Sequence, residues 1–399
     1  MINFPSVELA FRSVPRDLFL PGVPLEQVYN DHCIVTKKGP DGADLSSASQ
    51  PTLVASVLEQ LDLRPGHRVL EIGAGTGYNA GLMGHIVGPE GSVCSVDIEE
   101  DVAERARRHL KSADVKNVTV FSSDGALGCP WGAPFDRVVL TVAAKDISPA
   151  WRDQLKPGGR IVVPLSMRGP QKSIAFEKRS DCLEAVDVRN CHYIMLRGDF
   201  DGESATGNKA RSSLDLKCEL PEAADFHEEE LLAQEAKEFR TSVRVSIGEV
   251  ATSLNLWIAL QFPGFFTMSG NSEKVRDALS GVRGGFLPEV VPGVYRNRTI
   301  CVLRSYSSHG AASMHAPFEL CIRSLGPDHA LARELLAAIR NWAEAGRPGD
   351  LTLSVRAISA GSEASIRPGF VLERRHNTFL FQWGASGRPE TEPQYFPRP

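Results

Sequence analysis

None of the eight cysteines (Cys33, Cys94, Cys129, Cys182, Cys191, Cys218, Cys301 and Cys321) stands in a C-x-x-C pair. A structural zinc site therefore has no sequence support, and the scatter of the thiols predicts reduced, mostly buried cysteines. Basic residues are not in excess. Against 44 Lys and Arg stand 49 Asp and Glu, a net charge of -5, which argues against nucleic acid as the main partner. No apolar run reaches the roughly 18 residues a membrane span needs. The start of the chain lacks a basic segment followed by an apolar core, so no secretory signal is expected. Internal repeats and low-complexity tracts are missing as well. These absences point to a cytoplasmic globular chain without a membrane partner, and its 399 residues suit two domains.

What is present is clearest between residues 46 and 200, where helical periodicity alternates with short β-rich runs. Helices are expected at 52–61, 78–87 and 99–111, and strands at 68–72, 92–97, 118–121, 135–141 and 160–164. That alternation predicts an α/β fold with a doubly wound, mostly parallel sheet. A polar loop at 201–208 and an acidic helical stretch around 228–232 follow. Beyond them lie alternating runs at 241–250, 253–260, 295–306, 351–355 and 378–383. One helix is expected at 328–345, with Leu331, Leu335, Leu336 and Ile339 on one face. This reads as an α+β accessory region. Its isolated histidines, His309 and His315, read as loop residues, and the tail from Gly387 as a surface segment.

The run Arg68-Val69-Leu70-Glu71-Ile72 leads at once into Gly73-Ala74-Gly75-Thr76-Gly77 and a helix from Tyr78. A strand, a glycine turn and a helix start gather backbone N–H groups and a positive helix end around a ligand. The next strand ends in Asp97, placed to grip ribose hydroxyls, and the third near Asp124, placed to accept from an adenine amino group. NAD and S-adenosylmethionine sites share that plan. Two details favour S-adenosylmethionine. The spacing is G-x-G-x-G rather than G-x-G-x-x-G, and the acid Glu71 just before the loop would repel a pyrophosphate. A dehydrogenase is disfavoured on the same grounds.

Seven blocks in order resemble the protein-L-isoaspartate O-methyltransferase family from about Val14 to Leu165. They are Val14-Pro15-Arg16-Asp17-Leu18-Phe19-Leu20-Pro21; Tyr29 and Asp31; Ser49-Gln50-Pro51; Leu70 through Asn79; Asp124-Gly125-Ala126-Leu127-Gly128; Ala133-Pro134-Phe135-Asp136; and Gln154 through Arg160. The resemblance implies a Rossmann-like methyltransferase fold, S-adenosyl-L-methionine as cofactor and S-adenosyl-L-homocysteine as its product. It also implies a peptide or protein substrate methylated on an aspartyl or isoaspartyl carboxylate. Carried onto this chain, it makes Ser49 the catalytic residue, with an N-cap for the following helix as its alternative task. Glu71, Gly73, Gly75, Gly77, Tyr78, Asn79, Asp97, Ile98, Asp124 and Gly125 become cofactor residues. Ser47, Gln50, Ala144 and Lys145 become substrate residues, and no metal is implied. The implied organisation is a substrate-side segment at 1–45, a methyltransferase core at 46–220 and a C-terminal accessory domain at 221–399.

The chain departs from the family at several points. Asp97 replaces the usual Glu, Ser123 the usual Gly, and Ala143-Ala144-Lys145-Asp146-Ile147-Ser148-Pro149 the usual Ala-Ala-Pro loop. The altered loop puts charge beside the expected peptide groove. With the long extension, this resembles relatives that esterify an Asp of a ribosomally made precursor peptide, leading to succinimide or isoaspartate. A general repair methyltransferase and a non-catalytic peptide-binding module are the competing expectations. Nothing in the sequence sets an oligomeric state.

Overall fold

The computed structural model describes residues 2–198, 200, 215–218, 235–269, 290–306, 317–362 and 369–384. The expectations for the polar loop at 201–208, the acidic stretch around 228–232, His309, His315 and the tail from Gly387 lie outside the described residues.

The N-terminal part begins with α1 (Pro5–Ser13), the short α2 (Leu25–Val28) and a hairpin of β1 (Ile34–Lys38) and β2 (Asp44–Ala48). The alternating part follows as α3 (Pro51–Leu61), β3 (Arg68–Ile72), α4 (Tyr78–Val87), β4 (Ser92–Asp97), α5 (Glu100–Ser112), β5 (Val118–Ser122), β6 (Phe135–Leu140) and α6 (Pro149–Gln154). It closes with β7 (Leu155–Ser166), β8 (Gln171–Lys178) and β9 (Cys182–Asn190). Strands β5, β4, β3, β6 and β7 lie side by side and parallel, and β8 and β9 continue the sheet antiparallel. The protein is thus an α/β, Rossmann-like fold. Alternate side chains of each buried strand serve opposite faces. Val69, Val93, Val139 and Val162 pack with Leu58, Leu82 and Ala106 of the helices. Leu70, Val96, Leu140 and Ile161 pack on the other face with Trp151 of α6. Cys94 of β4 and Cys129 lie with their sulfurs in contact. The fold brings these distant positions together, and the bare backbone of Gly132 leaves room for both sulfurs.

The later half divides. Strands β10 (Asp215–Cys218), β11 (Lys237–Val245), β12 (Phe265–Ser269), β13 (Val290–Arg296), β14 (Thr299–Tyr306) and β15 (Phe318–Leu325) form a separate antiparallel sheet in the order β10-β12-β13-β14-β15-β11. Between β11 and β12, a helical segment starts at Ile247–Glu249, passes through a π turn at Val250–Leu254 and continues as α7 (Asn255–Gln261). The helix α8 (His329–Glu344) covers this sheet with Leu331, Leu335 and Ile339 inward, and Asp328 caps it. The last strands, β16 (Leu353–Ser359), β17 (Phe370–Glu373) and β18 (Asn377–Trp383), return to the first sheet. There β16 pairs with β9 through Cys182, Leu183 and Glu184, extending that sheet to ten strands.

Two expectations change here. The first is the boundary, because β16, β17 and β18 fall on the accessory side of 220 and yet complete the main sheet. Edge strand β9 needs a partner for its open backbone groups, and β16 supplies one. The second is the run at 253–260, which alternates like a strand but is helical. Leu256 and Leu260 pack into the core of the first sheet, whereas Leu254, Ile258 and Ala259 pack into that of the second. A helix buried on two sides loses the one-sided apolar stripe by which helices are read.

Candidate active site

The parallel strands point their carboxyl ends to one side. The turns that leave β3, β4, β5 and β6 there line a cavity of about 390 Å³. This is the place where open α/β sheets take ligands. The floor is the glycine turn. Gly73 has φ +99°, and any side chain on it would strike Thr141. Gly77, at φ +85°, opens α4 and lies close against Ala106 in α5, so a side chain there would be strained in backbone and tightly crowded.

Acids hold this floor in shape. Asp97 accepts from the Gly75 amide at 3.0 Å and from the Glu99 amide at 3.1 Å. Burial raises its pKa, opposed by those two amides. Glu71 is fully buried under the turn, where it accepts from Ser95 and, at 2.8 Å, from Asn79. Burial pushes its carboxyl from 4.5 up to about 7, against the pull of the two donors.

The roof comes from two directions. The β1–β2 hairpin contributes Ser46, Ser47 and Ala48, and the stretch after β9 contributes His192 to Arg197. Glu99 fastens both, to Lys37 at 2.6 Å and to Arg197 at 2.5 Å. Those two cations hold its carboxyl below the usual range. The wall is α3, with Leu53, Val54 and Val57. Ser49 precedes this helix without capping it. Gln50 occupies the cap position, and Asp31 takes the capping task, accepting from the Thr52 amide and hydroxyl at 2.9 Å each. Among the described residues the Ser49 hydroxyl has no hydrogen-bond partner, and the residue lines the cavity.

Ten of the expected site residues line this one cavity: Ser47, Ser49, Gln50, Gly73, Gly75, Tyr78, Asn79, Asp97, Ile98 and Gly125. Five do not. Glu71 lies beneath the floor and Gly77 against α5. Asp124 accepts from the Ala126 amide at 2.8 Å, capping a short turn beside Gly125. Ala144 is buried and pairs with Leu165 of β7. Lys145 stands outside the lining, as does its neighbour Asp146. The Asp146 carboxylate accepts from the His376 amide, from Asn377 and from the Ile147 amide, at 2.7, 2.7 and 2.8 Å. The loop that differs from the family thus ties β18 to the sheet, which accounts for its acid without a substrate.

A model of the protein-L-isoaspartate(D-aspartate) O-methyltransferase family matches residues 1–200, half of the chain. The chain belongs to this family. A protein-L-isoaspartate O-methyltransferase of Thermotoga maritima is 40% identical over 228 residues, 56% of this chain and 68% of that protein. One of Hyperthermus butylicus is 36% identical over 208 residues, 50% of this chain and 84% of that protein. A solved protein-L-isoaspartate O-methyltransferase aligns over 88% of this chain and 92% of that one, with 23% identity and a TM-score of 0.49. As a protein-L-isoaspartate O-methyltransferase relative, the chain is an S-adenosyl-L-methionine-dependent carboxyl O-methyltransferase.

The cavity suits that cofactor. It combines the side-chain-free turn, an acid fixed by backbone amides, and two polar groups without partners. The first is Arg16, 2% exposed, whose three guanidinium nitrogens make no hydrogen bond. The second is the Asn79 side-chain oxygen. Sequence reasoning had Arg16 only as part of a family block, and it missed His192 to Arg197 altogether. That stretch carries no motif, and only its pairing with Ala143, through the amides of Ala143 and Leu196, brings it over the site. Among the described residues, no helix is long and apolar enough to cross a membrane.

Proposed function

We propose that the protein esterifies an isoaspartyl or aspartyl carboxylate in a peptide, as the names of its relatives indicate for those proteins. The observation that carries this reading is Ser49, whose hydroxyl is released from helix capping by Asp31 and stands at the cavity beside the glycine turn. A carboxylate with a reference pKa near 4 is already ionised at neutral pH, so the site needs no general base. In this reading Asp97 holds ribose hydroxyls, Gly73 and Gly75 let the ligand lie against bare backbone, and Gly125 borders the adenine beside Asp124. When bound, S-adenosyl-L-methionine supplies a methyl group on a sulfonium, so a carboxylate that takes it up loses charge as it reacts, a change that water opposes. The residues of the chain position and dry the site. Ser49 donates to the substrate carboxylate and orients it, while Leu53, Val54 and Val57 exclude water.

The full chain, given S-adenosyl-L-methionine and a generic isoaspartyl peptide, should add the mass of one methylene to it and leave a matched peptide without a free aspartyl or isoaspartyl carboxylate unchanged. Bound cofactor with no mass gain on any such peptide would overturn the proposal. The narrower reading, a precursor peptide carried on to succinimide or isoaspartate, has the extension as its support. It requires slow turnover of generic isoaspartyl peptides beside rapid esterification of one Asp-containing precursor.

A further inference from the structure

Arg16 poses a problem that the family blocks do not solve. It sits in a 3-10 turn (Arg16–Phe19) ahead of the roof hairpin, with its guanidinium 5.3 Å from the centre of the Tyr78 ring and its side chain in the cavity lining. A buried cation is costly unless it is paired. The carboxylates near it are engaged elsewhere. Asp31 accepts from Thr52 and Gln50, and Asp17 from the Tyr29 hydroxyl. The ring of Tyr78 gives some compensation but fills none of the five N–H donors. The next residue along, Asn79, also lines the cavity and has its amide nitrogen on Glu71, which leaves its oxygen open.

The lining of the cleft therefore includes an unused cationic fork and an unused neutral acceptor. An amino-acid zwitterion carries the complement, a carboxylate for the fork and an ammonium for the acceptor. We infer that Arg16 receives a ligand carboxylate in this cleft, that of the methionyl group of the cofactor, with Asn79 accepting from the same group's ammonium. The inference rests on the methyltransferase reading for the identity of the ligand. A peptide carboxylate is the other source of the same chemistry. It is disfavoured because a guanidinium clamped on the reacting carboxylate would hold back the charge that must be given up.

The test is calorimetric titration of the full chain with S-adenosyl-L-homocysteine and with 5′-methylthioadenosine, which lacks the amino-acid group. Arg16→Gln should weaken the first by about 10- to 100-fold, the span of a charge-assisted hydrogen bond, and leave the second unchanged. Arg16→Lys should fall between. If homocysteine-ligand affinity holds and the KM for an isoaspartyl peptide rises instead, the cofactor assignment is overturned in favour of the peptide. No change in either overturns the inference altogether. Ligand-free melting adds a second readout, because removing an unpaired buried cation by Arg16→Met should leave Tm unchanged or raise it. A clear drop, or failure of the variants to fold, would make Arg16 a structural residue and also overturn the inference. Failure of the unaltered chain to bind S-adenosyl-L-homocysteine would strike the methyltransferase reading itself, a distinguishable result.

Discussion

The cleft and the seam between the two sheets both bury charged side chains, and they treat them in opposite ways. In the seam, Lys172 of β8 is 1% exposed and meets Asp350 at 2.6 Å, together with Asn190 and the carbonyl of Thr252. It thereby joins the first sheet, the helical segment of the second and the start of the returning strands. Asp146, which ties β18 into the first sheet, is satisfied just as fully. In the cleft, the Arg16 guanidinium and the Asn79 oxygen are left open. A buried polar group with all its bonds made is holding the molecule together. One without them that also lines a cavity is open to a ligand.

This contrast can be broken from either side. The largest effect is expected in the seam. Lys172→Met strands Asp350 in a partly buried site and should cost about 3–5 kcal/mol in urea unfolding. Adding Asp350→Leu should recover most of the loss, and no recovery would mean that Lys172 acts by some route other than charge pairing. Beneath the cleft, Glu71 has a folded-state pKa above its unfolded value. Its contribution to stability is full below pH 4.5 and is lost as pH rises through about 7. The pH profile of unfolding should therefore fall by about 3 kcal/mol across that window relative to Glu71→Gln, which has no proton to lose. A parallel pair of profiles would place the titration elsewhere.

In the cleft itself, Ser49→Ala should lower kcat about 100-fold, as loss of a positioned hydroxyl does. The melting temperature should not move, because Asp31 does the capping. A fall in Tm with little change in kcat would return Ser49 to a structural role. Smallest is the Asp146→Ala effect, about 2 kcal/mol from two unsatisfied donors on the returning hairpin. Its KM for peptide should stay within about 2-fold if the acid serves the returning strands alone, a margin well under one hydrogen bond.

Different kinds of information were legible in different places. The glycine turn with Asp97 could be read directly, because the strand, the turn and the acid at the next strand end recur at fixed spacing. Ser49 was legible as a position but not as an orientation, since nothing in Ser49-Gln50-Pro51 says that Asp31, far back in the chain, would take over the cap. The charges of Lys145 and Asp146 were visible, but not that Asp146 would be taken up by a partner some 230 residues later. Arg16 was a letter in a block until burial showed that it had no partner.

By itself the sequence determined the parallel sheet, the cleft at its carboxyl ends and the chemistry that the cleft suits. Each of these depends on residues close together in the chain, where periodicity and turn geometry act locally. Only the tertiary structure decided which buried polar groups face one another and which face the cavity. It also decided that the last strands close the first sheet and that one helix serves two cores. Those outcomes come from long-range packing, where a side chain's neighbours are fixed by the fold rather than by the residues beside it.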